Sequence, residues 1–182
     1  MPRTITDMGT LALAVTDGML HFELSLAYEV FGSAPSGVAV PWYDVTVCGP
    51  GPVLVERFRL EPDRGLDRLP YAGTVIVPGW ADVDEEPPAD LVDAVRAAHD
   101  AGARVASLCT GAFVLAAAGL LDGRRATTHW AHTEVLAERY PRVEVDPDVL
   151  YVDHGRVLTS AGKAAVPVRG HDQTAGDRVG DG

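Results

Sequence analysis

"ARVASLCTGAFVLAAAGLL", residues 103–121, decides the fold: an apolar run to Leu108, a cysteine, a glycine at 111, then an apolar run with helical character. A strand that feeds a helix through so short a turn is the repeating unit of an α/β protein. Working outward, "TVIVPG" (74–79), "YDVTVCG" (43–49) and "LALAV" (11–15) are also β-rich and apolar on both faces, as strands of a covered parallel sheet are. Helical patterns lie between them. "HFELSLAYEVFG" (21–32) puts Phe22, Leu26 and Phe31 near one face and stops at Gly32. "PPADLVDAVRAAHDAG" (87–102) opens on prolines, places Leu91, Val95 and Ala98 on one face and stops at Gly102. A third helix follows Cys109, and a fourth runs from Trp130 to Tyr140, where Pro141 ends it. The order predicts an α/β, flavodoxin-like three-layer sandwich with a mainly parallel sheet and helices on both faces. "VLYVDHGRVLTSAG" (149–162) changes the pattern, because two β-rich segments flank Asp153-His154-Gly155, a hairpin signature that belongs at the sheet edge.

With 182 residues, 47% hydrophobic and 23% charged, the chain has the composition of one globular domain with a sizeable core. Its formal net charge of −11 repels phosphate backbones and anionic membrane surfaces, so direct nucleic-acid or membrane binding is not expected. Cys48 and Cys109 fall at two different strand ends and make no disulfide framework, which suits a reducing cytoplasm. The N-terminus lacks the long apolar stretch of a signal peptide, and Phe113–Leu121 is too short to span a bilayer. "VPVRGHDQTAGDRVGDG" (166–182) is glycine-rich without apolar periodicity and is expected to be a disordered tail.

The turn at Cys109 is a candidate site by position, since ligands of open α/β sheets bind at the carboxyl ends of the strands. A helix N-terminus there offers free N–H groups and a positive dipole end, so the thiol is expected to be accessible and more acidic than that of Cys48. Cysteine also packs as a small buried residue, and the pattern alone leaves both readings open. No His, Cys, Asp or Glu spacing suggests a metal site, and no cofactor is expected.

"CTGAFVLAAAGLLDGRRATTHW" and "YPRVEVDPDVLYVDHGRVLTSAG", with "FELSLAYEVFG" and "TVIVPGW", resemble the PfpI-type, class I glutamine-amidotransferase-like domain found in the N-terminal half of AraC-type regulators of the GlxA/FtrA group. The likeness covers about residues 10 to 165, so residues 1–165 are expected to form that domain and 166–182 to lie outside it. By motif position, the resemblance implies a site of Cys109, Glu23 and His129, with Gly79, Trp80, Thr110, Gly111 and Trp130 around a ligand pocket. Three departures weigh against an enzyme. Protease-like members carry histidine directly after the cysteine, where this chain has Thr110. Enzymes of the superfamily often have Gly-Gly where Gly79-Trp80 stands, which sets an indole beside any oxyanion site. The regulators continue past "TSAG" into an amphipathic helix and helix-turn-helix motifs, a pattern that Pro167 and Gly170 interrupt; this suggests a truncation or frameshift, with apolar surface left exposed and modest stability. The resemblance thus implies a ligand-sensing, self-associating domain that binds a small molecule and forms a homodimer. The alternatives are a small cysteine enzyme like isonitrile hydratase and a cysteine redox sensor.

Overall fold

The computed structural model describes residues 9–33 and 42–162. A six-stranded sheet forms from β1 (Thr10–Ala14), β2 (Asp44–Cys48), β5 (Thr74–Val77), β6 (Arg104–Leu108), β9 (Tyr151–Asp153) and β10 (Val157–Ser160). Their order across the sheet is β2-β1-β5-β6-β10-β9. All neighbours run parallel except β9, which pairs antiparallel with β10 at the edge. All four strands read from the sequence are present, and so is the edge hairpin. β3 (Val53–Val55) and β4 (Phe58–Leu60) make a separate small hairpin, and β7 (Arg125–Ala126) pairs in parallel with β8 (Glu144–Val145). These short pairs escaped the sequence reading because runs of two or three residues carry no periodicity.

Among the described residues four helices connect the strands: α1 (His21–Gly32), α2 (Ala89–Asp100), α3 (Ala112–Ala117) and α4 (Thr133–Arg139). α2 follows its pattern, with Leu91, Val92, Val95 and Ala98 buried. α3 is apolar all round because nearly all of it is buried: Ala112 through Ala116 are buried, and Phe113 is the largest fully buried side chain among the described residues. Side chains such as Phe113, Leu91 and Leu115 each contribute roughly 1.5–3 kcal/mol by leaving water. α1 does not follow its pattern. Of the three residues expected inward, Phe31 packs half-buried against the core, but Phe22 and Leu26 are 42% and 44% exposed, and the buried residues are Glu23, Leu24 and Ala27. The helix carries apolar residues on every side, so periodicity could not set its rotation, and the inward phase is the one that buries Glu23.

The chain leaves β1 toward β2 on one side and enters β5 on the other, which makes the β1/β5 boundary the topological switch point. In open α/β sheets the crevice at the carboxyl ends of such strands is the usual ligand site. The domain boundary at 165 and the tail expected over 166–182 lie outside the described residues. Among the described residues no helix is long and apolar enough to cross a membrane.

Candidate functional site

β6 ends at Leu108, and the next residue, Cys109, has φ 55°; among the described non-glycine residues only Glu56 shares a positive φ. A cysteine in the left-handed region is strained, and such strain persists where the surroundings over-determine the backbone. Three loops do so here. After β5, the carbonyls of Val77 and Pro78 approach Gly111 so closely that an added Cβ would stand 2.4 and 2.5 Å from their oxygens. After β10, Gly162, itself at φ 62°, lies against the cysteine, where an added Cβ would meet the Cys109 Cβ at 2.5 Å. After β7, the Thr128 hydroxyl donates to the Cys109 carbonyl at 3.0 Å. A 3-10 turn over Cys109–Gly111 then leads into α3.

Glu23 reaches the same place from α1. The loop before that helix pairs with the loop after β5: Met19 bridges Trp80, the Leu20 N–H donates to the Gly79 carbonyl at 2.9 Å, and the Ala81 N–H donates to the Gly18 carbonyl at 2.9 Å. The first turn of α1 is thereby set over Gly79, where an added Cβ would stand 3.3 Å from Glu23 Oε2. The Glu23 side chain is fully buried, and neither carboxylate oxygen has a hydrogen-bonding N–H or O–H partner among the described residues. A buried carboxylate whose one partner is the weak S–H donor of Cys109 is costly, and such groups are kept where they serve a site.

Cys109 is the group the carboxylate acts on. Burial pushes its thiol pKa up from 9.0 to about 11; the Glu23 charge and its role as acceptor for the S–H add to the rise, while the backbone N–H and hydroxyl of Thr110 oppose it. The expectation of an accessible, acidified thiol is therefore overturned. Cys109 is only 1% exposed, and its pKa matches the value of about 11 at Cys48, where burial dominates and Asp63 and Asp67 follow. Desolvation and a nearby negative charge outweigh what Thr110 offers, the more so because its one hydroxyl proton goes to the Trp80 carbonyl. The helix that follows is also only six residues long, which limits what its dipole can contribute.

Thr110 has a second task. Its Oγ1 accepts the Trp80 N–H at 2.8 Å and donates to the Trp80 carbonyl, both within the core. The backbone N–H beside Gly79 is thus committed to a side chain. The Trp80 ring packs over Gly18, is 7% exposed, and its indole N–H donates to the Asp82 carbonyl. Trp130, in contrast, is 68% exposed. His129 precedes it and caps the 3-10 turn Trp130–His132, its Nδ1 accepting from the Ala131 N–H at 3.2 Å while its ring lies beside those of Trp130 and His132. The structure therefore gathers Glu23, Gly79, Cys109, Thr110 and Gly111 at one turn, and sets His129 and Trp130 on the adjoining turn. Thr128 and Gly162 belong to the site and were missed as site residues; they stand inside "TTHW" and "TSAG", yet a threonine that bonds a backbone carbonyl has no signature of its own. Among the described residues no three His, Cys, Asp or Glu side chains are arranged to hold a metal ion.

Residues 10–168 match the DJ-1/PfpI family. The chain belongs to the DJ-1/PfpI family. A protein encoded in the cpoL 5' region of Streptomyces lividans is 40% identical to this DJ-1/PfpI chain over 134 residues, 72% of this chain and 94% of that one. The HTH-type transcriptional regulator CdhR of Pseudomonas aeruginosa is 33% identical over 127 residues, 69% of this chain and 37% of the regulator. Isonitrile hydratase of Pseudomonas putida is 35% identical over 123 residues, 64% of this chain and 50% of the enzyme. The matched stretch thus spans half or less of both the regulator and the hydratase. Among solved structures, an AraC family transcriptional regulator from Pseudomonas putida superposes with a TM-score of 0.65 at 18% identity, covering 84% of this chain and 83% of that one, a likeness of fold. Both the DJ-1/PfpI membership and the kinship with transcriptional regulators agree with the motif resemblance.

Proposed function

We propose that this domain senses a small-molecule ligand at the Cys109–Glu23 turn and self-associates as a homodimer, within or derived from an AraC-type transcriptional regulator. The observation that carries the reading is the state of the turn: the thiol is buried, its pKa is raised to about 11, and the Trp80 N–H is taken by Thr110. Nucleophilic catalysis wants a thiolate and free N–H donors aimed at developing negative charge. A ligand-responsive switch needs neither. The raised pKa weighs equally against a redox sensor, whose cysteine oxidises through the thiolate. The regulator relatives supply the class of function. The net charge of −11 supports a role in which these residues do not themselves contact DNA.

A second reading, a cysteine-dependent hydratase acting on a carbon–nitrogen multiple bond, is favoured by the isonitrile hydratase relative and by the carboxylate set against the thiol. In that reading Cys109 attacks or orients and Glu23 moves the proton. The test is to supply the purified chain with an isonitrile and follow the N-substituted formamide, alongside sedimentation velocity at micromolar concentration. The expected result is a dimer with no turnover beyond that of a Cys109→Ser variant. Cys109-dependent turnover would establish the hydratase instead, and a monomer would remove the self-association.

A further inference from the structure

Away from the Cys109 turn, a groove of about 270 Å³ runs along the edge strand β2 and its neighbour β1. Thr10, Ala12, Thr46 and Cys48 form its floor, alternate residues that point to one face of the paired strands. Its wall is the loop and 3-10 turn leading to Tyr71, which bring Arg64, Arg68, Tyr71 and Ala72 to the rim. That wall is fixed to β2: Cys48 bridges Arg64, and the Gly49 N–H donates to the Arg64 carbonyl at 2.9 Å. The Arg68 guanidinium lies over the Tyr71 ring, 5.3 Å from its centroid.

Among the described residues neither guanidinium forms an ion pair, as Arg96, Arg125, Arg139 and Arg142 do; Arg57, Arg59, Arg104, Arg124 and Arg156 form none either, but none of those five lines the groove. Arg64 donates only to the carbonyl of its neighbour Asp63. Burial, then Asp63 and Asp67, raise the Cys48 thiol pKa at the floor against the lowering pull of Arg64 and Arg68, but the Asp63 carboxylate accepts the Val47 N–H and neither Asp63 nor Asp67 lines the groove. In a chain with a net charge of −11, two unpaired cations on one small, partly apolar groove are the arrangement that an anion completes. Asp44 stands at the other end of the floor, about 13 Å down β2 from Cys48, and would repel a second negative charge.

We propose that this groove binds a small organic monocarboxylate, its carboxylate between Arg64 and Arg68 and its apolar body over Ala12, Thr46 and Cys48. The site is separate from the Cys109 turn and does not rest on the function proposed for it. The test is a titration of the isotopically labelled chain with benzoate, followed through backbone amide shifts, with benzamide as the uncharged isostere. Saturable millimolar shifts are expected at Thr46, Cys48 and Ala72. Binding is expected to weaken about tenfold or more with benzamide and in an Arg64→Gln/Arg68→Gln variant, the loss typical of a charge-assisted pair. An Arg59→Gln control should bind as the parent does. Should the double variant fail to fold, the exposed Arg68→Gln alone serves. Equal binding of benzoate and benzamide, shifts centred elsewhere, or undiminished affinity in the arginine variants overturns the proposal.

Discussion

Glu23→Gln is the perturbation that most directly probes the site. The Cys109 thiol is raised by two units, from 9.0 to about 11, with burial the largest cause and the Glu23 charge next. The substitution leaves burial in place and removes the charge, so the pKa should fall by about one unit. That change increases the thiolate roughly tenfold at any pH well below the pKa. Because a less basic thiolate is also less nucleophilic, with a Brønsted slope of about 0.4–0.5, the net gain in alkylation rate is about threefold. Cys48 serves as the internal standard, since its environment is set by burial, Asp63 and Asp67. The assay is the pH dependence of iodoacetamide labelling at each cysteine, resolved by peptide mass. An unmoved Cys109 profile, or an equal shift at Cys48, would refute the electrostatic coupling between carboxylate and thiol.

Glu23→Met should stabilise the fold by about 1–3 kcal/mol, because it replaces buried oxygens that no N–H or O–H satisfies by an apolar chain of similar volume, at the cost of only a weak S–H contact; a lower melting temperature would contradict that account. Gly162→Ala combines a positive φ with a 2.5 Å approach to the Cys109 Cβ, so it should cost more than about 2 kcal/mol in denaturant unfolding; a loss within experimental error would show that the clamp on the turn is loose. Thr110→Val strands the buried Trp80 N–H and carbonyl and should cost about 1–3 kcal/mol; unchanged stability would mean the tie is dispensable. Both thiols hold their protons to about pH 11 in the native state but release them near 9.0 once unfolded. Their effect on stability is therefore nil below pH 9 and unfavourable above it. Each should subtract about 2 kcal/mol by pH 11. A Cys48→Ala/Cys109→Ala variant that loses stability as steeply over that range would disprove this.

Local patterns reached far into this fold because its sheet is mostly internal. "LALAV" and "TVIVPG" are apolar on both faces, and strands buried on both faces can only read that way, while "ARVASL" is buried at Val105 and Ser107 and half-buried at Ala106 and Leu108. α2 was legible because one of its faces is wet, which gives its apolar residues a phase. α1 was not, since Phe22, Leu26 and Val30 are apolar yet exposed while Glu23 is charged yet buried. Its rotation is settled by contacts with Gly79 and with the loop before it, and periodicity within the helix holds no record of those.

The site divides along the same line. That Cys109 ends a strand and opens a helical turn at the carboxyl edge of a parallel sheet followed from the order of residues, because strand, turn and helix are local structures. What the cysteine does there did not follow. Helix-terminus reasoning made the thiol acidic; the folded chain makes it a weak acid, because a carboxylate from 86 residues earlier is carried up against it and water is shut out. Likewise, no neighbour in sequence announces that Thr110 will occupy the Trp80 N–H. Secondary structure is decided by short-range sterics and patterning, which a sequence displays directly. Proton affinity and free hydrogen-bonding capacity depend on dielectric and on charges brought from distant segments, and only the closed tertiary structure sets those.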